Sequence, residues 1–176
     1  MARTSMANLI SLVRDLIGDP AGAEQMFSDD QIERSLDVHR WEFRYLPLKP
    51  LNTVISGSNE YRDWYSAEQY WEGDAVLCDG AYTQLTPSSS DALHGRWSFA
   101  VHQPAVLVSG KMYDPYGAAA DLLEMWVGKV ALEFDVDADG ASMKRSQKQQ
   151  ALRALAEHYR KQQRIITAQQ VRYDIY

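Results

Sequence analysis

Residues 113–164 read YDPYGAAADLLEMWVGKVALEFDVDADGASMKRSQKQQALRALAEHYRKQQR. Two helical stretches flank an acidic, glycine-containing turn. In the first, over 113–134, Leu122, Leu123, Met125, Trp126, Val127, Val130, Leu132 and Phe134 leave only a thin polar strip at Asp121, Glu124 and Gly128. A helix this apolar around its circumference is buried on more than one side, within its own fold or also against another subunit. The second, over 144–163, is ordinary amphipathic helix, with Leu152, Leu155, Ala156 and Tyr159 on one face and charge elsewhere. The segment therefore reads as a helical hairpin, and the rest of the chain is arranged around it.

The turn between these helices carries the strongest metal signal in the chain. Asp135, Asp137, Asp139 and Gly140 match the opening of a calcium loop between two helices. Counting from Asp135, however, the ninth position is Met143 and the twelfth is Ser146, where a bidentate glutamate is required. With half the coordination sphere missing, a structural reading fits better: Gly140 supplies a turn, and Ser142 or Ser146 caps the second helix.

Upstream, Leu9, Leu12, Val13, Leu16 and Ile17 recur at helical spacing over Met6–Ile17, and Gly18 and Pro20 end the helix. FSDDQIERSLDVHR then opens a second helix. Ser28 is its N-cap, Gln31 completes a capping box, and Phe27 and Ile32 stand where a hydrophobic staple needs them. Asp29 and Asp30 suit the positive end of the helix dipole, which explains the acidic pair more simply than metal or acid–base chemistry.

From Trp41 the period changes. WEFRYLPLKPLNTVISG, with two prolines, reads as strand or turn, and dense aromatics follow through residue 111. Short strands are predicted at Ala75–Cys78, Tyr82–Leu85, Trp97–Val101 and Val106–Val108, with Trp97, Phe99 and Val101 alternating inward. Asp79-Gly80 and the run Pro87–Asp91 read as turns. The expected fold class is α+β, a bundle of about four helices with an inserted small antiparallel β subdomain and an extended C-terminal tail. The boundaries fall at 1–42 for the N-terminal helices, 43–111 for the β insertion, 112–164 for the hairpin and 165–176 for the tail. The tail, IITAQQVRYDIY, is β-prone. It can add a strand to another chain by edge pairing, or return to its own β subdomain.

At 176 residues, with 45% hydrophobic and 24% charged side chains, the chain is long enough to bury a core as one domain with an insertion. No apolar run approaches the roughly 20 residues of a membrane helix, so no membrane partner is expected. The N-terminus, interrupted by Asn8, Ser11 and Arg14, makes a poor signal peptide, and a lone Cys78 forbids an internal disulfide and fits a reducing compartment. The net charge of −6 conceals an asymmetry: residues 1–143 carry 22 acidic and 10 basic side chains, residues 144–176 carry 8 basic and 2 acidic. The basic segment suits an acidic protein face or nucleic acid, or simply forms a solvated helix face.

Catalysis finds little support. His39, His94, His102 and His158 lack ligand spacing, Cys78 sits in an apolar strand, and neither a nucleophile elbow nor a phosphate-binding glycine loop occurs. The expectation is a protein that is not an enzyme and takes no cofactor. A competing reading is a calcium- or carbohydrate-binding module using the acidic hairpin and the aromatic insertion, although aromatics in a small sheet more commonly form its core.

Two segments resemble a known family. LVRDLIGD…FSDDQIERSLDVHR resembles the opening, and YDPYGAAADLLEMWV…FDVDADGASMKRSQKQQALRALAEHYRKQ the closing half, of head–tail connector (adaptor, head-completion) proteins of long-tailed bacteriophages. The resemblance implies a virion structural protein of the phage neck, assembled in the host cytoplasm. It implies a homo-oligomeric ring of about twelve copies joining the portal to the stopper or tail-completion protein. Genomic DNA would pass through its channel without sequence-specific binding. It also implies portal docking by Arg164, Ile165, Ile166, Val171, Arg172, Tyr173, Ile175 and Tyr176. Packing between ring neighbours would fall to Leu122, Met125, Trp126, Val130 and Phe134. An acidic body fits a channel along which DNA must slide, because a basic lining would hold phosphates.

Overall fold

The computed structural model describes residues 2–55, 58–132 and 145–164. Four α-helices and two antiparallel four-stranded sheets make it a mixed α+β fold. After a short 3-10 turn at Thr4–Met6 come α1 (Ala7–Ile17) and α2 (Asp29–Val38). Gly18, at φ 67°, closes α1 in the left-handed conformation that glycine adopts without strain. Ser28 and Gln31 form the expected capping box on α2, and Phe27 and Ile32 are both buried.

The linker between these helices is organised by Arg14, which is buried. Its guanidinium donates to the Phe27 and Asp19 carbonyls, each at 2.9 Å, and to Asp29 Oδ1 at 2.7 Å. Asp19 in turn accepts from the backbone N–H groups of Met26 and Phe27. The Asp19 and Phe27 carbonyls and the Met26 and Phe27 N–H groups of the linker thereby find partners inside the chain.

Between α2 and the third helix lies the whole β insertion. Its strands are β1 (Arg40–Pro47), β2 (Lys49–Ile55), β3 (Ser58–Tyr65), β4 (Val76–Cys78), β5 (Gln84–Leu85), β6 (Ser89–Asp91), β7 (Arg96–Ser98) and β8 (Leu107–Tyr113). One sheet runs β1-β8-β4-β5 and the other β2-β3-β7-β6. Leu48, buried at the corner between β1 and β2, carries the chain from one sheet to the other and donates to the Val106 carbonyl. The sheets close on a common core in which Trp64 pairs with Trp97 across β3 and β7, and Trp71 meets Trp97 edge-on. The aromatic richness of residues 61–111 is therefore mostly core.

Several expected strand boundaries move. β3 has no counterpart among the predicted strands, because Asn59, Arg62 and Asp63 hide its pairing with β7 behind a polar sequence. β7 ends at Ser98 rather than continuing to Val101. Phe99 still donates to the Arg62 carbonyl, but the chain then bends and leaves Val101 63% exposed instead of turned inward. Ser89–Asp91, read as part of a turn, forms β6 paired to β7. β8 extends from Leu107 to Tyr113, well beyond the predicted Val108, because it is the inner strand between β1 and β4.

α3 (Pro115–Leu132) and α4 (Arg145–Gln162) complete the helical body. Proline at the first position of α3 has no N–H to waste there, and the Asp114 carboxylate accepts from Tyr116 N–H. α3 packs against α1, α2 and α4 in one common core, and Tyr159 Oη of α4 also donates to the Leu16 carbonyl of α1. Ala118, Ala119 and Ala120 are fully buried and let the neighbouring helices approach, and Leu122 and Leu123 fill the centre. Its near-uniform apolarity is accounted for inside one chain. No described helix is long and apolar enough to cross a membrane.

Candidate functional site

Two places gather unusual chemistry: the corner where α4 ends, and one face of the sheet containing β1. The corner is built on Asp114, which is buried. Its backbone N–H donates to the His39 carbonyl at 3.0 Å, and its Oδ2 accepts from Arg164 N–H at 3.0 Å. The His39 ring lies between Asp121 Oδ2, 2.7 Å from Nε2, and the Gln163 amide, 3.4 Å from Nδ1. This fits the tautomer with the proton on Nε2. Arg160 clamps Asp121 and Glu124 from the side of α4. Partial burial opposes the Arg160 charge, but the two carboxylates outweigh it and raise its pKa. Arg164 reaches out to pair with Glu68. Tyr70, Tyr116 and Tyr159 line up alongside; burial, then Tyr116 and the Asp114 charge, push the Tyr70 phenol up to about 12.

The effect of these bonds is mechanical. They tie the last turns of α4 and Arg164 to α3, to Asp114 before it and to His39 before β1. Of the residues expected to dock on a portal, only Arg164 lies among the described residues, and it is engaged within the chain. Ile165, Ile166, Val171, Arg172, Tyr173, Ile175 and Tyr176 lie outside them. Among the residues expected to pack between subunits, Leu122 and Val130 have no exposed surface even in the isolated chain. Trp126 is half-buried against Phe27, with Lys148 over its ring, while Met125 is 48% exposed. Phe134 and the acidic run Asp135–Gly140 lie outside the described residues. Among the described residues no cluster of His, Cys, Asp or Glu is arranged to hold a metal.

The second place is a shallow cavity of about 350 Å³ between β1, β8 and the start of β4, bordered by Glu42, Arg44, Tyr45, Asp74 and Lys111. It exists because β1 bulges between Phe43 and Leu46. Tyr45, at the bulge, adopts φ 54°, and Tyr82, in the turn after β4, adopts φ 65°. Their rings meet edge-on at 4.7 Å, although both are half-exposed or more. Two left-handed tyrosines in contact on the surface store strain of order 1 kcal/mol each. The sequence held only a faint signal of this: two outward residues in succession, Arg44 and Tyr45, where strand alternation should continue.

A third cluster is structural. Glu72, fully buried, accepts from Ser5 Oγ and Tyr113 Oη, both at 2.6 Å, with Arg3 at 3.5 Å and Lys111 at 3.7 Å. Arg3 also pairs with Glu33 and Asp37 on α2. Burial pushes the Glu72 carboxyl up, but the two hydrogen bonds and two cations prevail and hold it below the usual carboxylate value. Burial and the Glu72 charge raise the Tyr113 phenol. The cluster ties the N-terminal segment to α2 and the insertion.

The architecture so defined is a helical body carrying a two-sheet insertion, with a hydrogen-bonded corner at the end of α4 and a strained tyrosine patch. No family model, no curated protein and no solved structure matches the chain.

Proposed function

We propose that this chain is a connector subunit of a phage neck, a non-enzymatic ring component between portal and stopper through whose channel genomic DNA passes. The observation that supports this most directly is the exit corner. A connector must present a docking segment at a defined angle, and here Asp114, His39, Glu68 and Asp121 hold the end of α4 in place before the apolar-rich residues 165–176 begin. The resemblance of the two helical segments to connector proteins supplies the functional class. The acidic body, −12 over residues 1–143, suits a passage for DNA. A ring also needs two unlike faces on each subunit, since only heterologous contacts close a cycle of more than two copies. The exposed side of α3 at Met125 and Lys129, and the Tyr45–Tyr82 patch, are candidates for those faces.

The test is reconstitution. Purified chain is mixed with portal rings of a long-tailed phage whose genome encodes this chain beside its portal, and complexes are followed by sedimentation and electron microscopy. The intact chain decorates the portal at the portal's own symmetry, and a variant lacking residues 165–176 stays folded but does not bind. No decoration by the intact chain overturns the connector reading; binding that survives the deletion overturns docking through the tail.

A further inference from the structure

The outer edge of β1 pairs with no strand among the described residues; β8 lies on its other side. The direction of its backbone groups follows from β8. Lys111, opposite Glu42, accepts from Glu72 N–H, and Tyr113, opposite Arg40, donates to the Tyr70 carbonyl. Both β8 residues thus turn their polar backbone away from β1, so Arg40 and Glu42 turn theirs to the outer edge. Such an edge is a template for another strand. Trp41 and Phe43, on the inward face of β1, are only partly buried where they meet the β core. Glu42 and Arg44 share the outward face and pair with each other there.

We propose that this edge pairs with the same edge of a second copy of the chain, antiparallel and across a two-fold axis at Phe43. The first argument is charge. In that register Glu42 of each copy stands opposite Arg44 of the other, and the two residues exchange both N–H···O bonds. Phe43 meets its own counterpart at the axis, in the non-hydrogen-bonded setting where side chains come closest. That contact covers the part of Phe43 which the β core leaves exposed. The existing Glu42–Arg44 pair within one chain is long, 3.5 Å, and solvent-exposed on both sides, so it offers little resistance to the exchange. An axis at Glu42 would instead set acid against acid and Arg40 against Arg44.

The second argument is the two ends of the strand. α2 runs into β1 at its first residue, and at the far end the bulge after Phe43 and then Pro47 stop the ladder. An axis at Phe43 places His39 of each copy opposite Pro47 of the other, so the two helical bodies stand at opposite ends of the ladder. An axis at Trp41 would also match Arg40 with Glu42, but it sets Val38 and His39, where α2 ends, against Arg44 and Phe43 of the second copy. The ladder is short, well below the extent of a standard stable interface, so the pair forms at high concentration and parts on dilution. The inference does not depend on the connector reading. A self-complementary contact closes a pair of chains and leaves the heterologous contacts of a ring untouched.

The experiment is a charge swap in the full chain, read by sedimentation equilibrium. The unaltered chain is expected to form concentration-dependent dimers, with hydrogen exchange at the Glu42 and Arg44 amides slowing as concentration rises. Both side chains are exposed, so Glu42→Arg and Arg44→Glu should each keep the melting temperature. Each should weaken the dimer about tenfold, because two attractive pairs become repulsive. An equal mixture of the two variants should dimerise again, and so should Glu42→Arg/Arg44→Glu, to within about threefold of the unaltered chain. Met125→Glu, on α3, should leave this dimer unchanged. No dimer at the highest attainable concentration overturns the proposal, and so does a dimer that both single charge variants retain. Loss in Arg40→Glu but not in Arg44→Glu overturns the axis at Phe43.

Discussion

Replacing Glu72 probes the junction that joins the helical body to the insertion. The carboxylate has no contact with solvent and is the shared acceptor for Ser5 and Tyr113, with Arg3 and Lys111 within 4 Å. Glu72→Ala strands two hydroxyls and removes the anion that compensates two cations, so it should destabilise the protein by about 3–5 kcal/mol. In a chain of this length that corresponds to a melting-temperature loss of about 10 °C. Glu72→Gln keeps the shape and at least one acceptor, and should cost about 1–3 kcal/mol. The pH dependence separates charge from shape. Because the folded state holds Glu72 below its ordinary value, its stabilisation is complete above the unfolded carboxylate pKa of about 4.3 and fades as pH falls through the lower folded value. The gap between wild type and Glu72→Gln in urea-denaturation free energy should therefore narrow as pH is lowered from 7 towards 3. A gap below about 0.5 kcal/mol at pH 7, or one that widens on acidification, would refute the claim that the ionised carboxylate holds the junction together.

Other perturbations follow from the same contacts. Ser28→Ala removes the α2 cap and should lower stability by about 1 kcal/mol in urea denaturation. Leu122→Ala opens a cavity in the helical core around α3 and should lower it by about 2–5 kcal/mol. Gly117→Ala would set a methyl 2.9 Å from His39 Nδ1 and 3.1 Å from Asp114 Oδ2. It should cost about 1–3 kcal/mol and perturb the His39 ring resonances, marking displacement of the exit corner. Met125→Glu, on an exposed position, should change monomer stability by less than about 0.5 kcal/mol and, on the proposed ring reading, should weaken ring self-association read by sedimentation.

What was legible in the sequence is what local physics dictates. The capping box at Ser28 and Gln31, the glycine stop at Gly18 and the helix periods before and after the insertion are set by residues within one or two turns of each other. Strands fared less well, because pairing partners are remote in sequence. β3 is polar at Ser58–Glu60 and again at Arg62 and Asp63, which breaks any strand alternation, and β6 is two serines and an aspartate that any local rule reads as turn; Trp97 across the ladder gives them their place. Least legible were the buried polar junctions. Glu72 looks like one acid among many until Ser5, Tyr113 and Arg3 converge on it, and His39 looks solitary until Asp121 and Gln163, more than eighty residues away, close around it.

The case of α3 shows how a correct reading of pattern can still support too strong an inference. Apolarity around a helix requires burial on several sides, but it does not say whose atoms do the burying. Here the chain's own α1, α2 and α4 supply them, and Leu122 and Val130 have nothing left to offer a neighbour. The burden of any ring contact shifts to positions where the wrapping stops. Glu124, Met125, Gly128 and Lys129 are exposed on the second half of α3, a polar stripe with one large apolar side chain in it. Such a surface suits an interface that forms late and reversibly rather than an obligate one, whose contact area would resemble a divided core. On the connector reading proposed above, the subunit would have to stay a single chain until its template is present. Apolar mass of α3 held inside the chain, with a largely polar exposed stripe, would meet both demands.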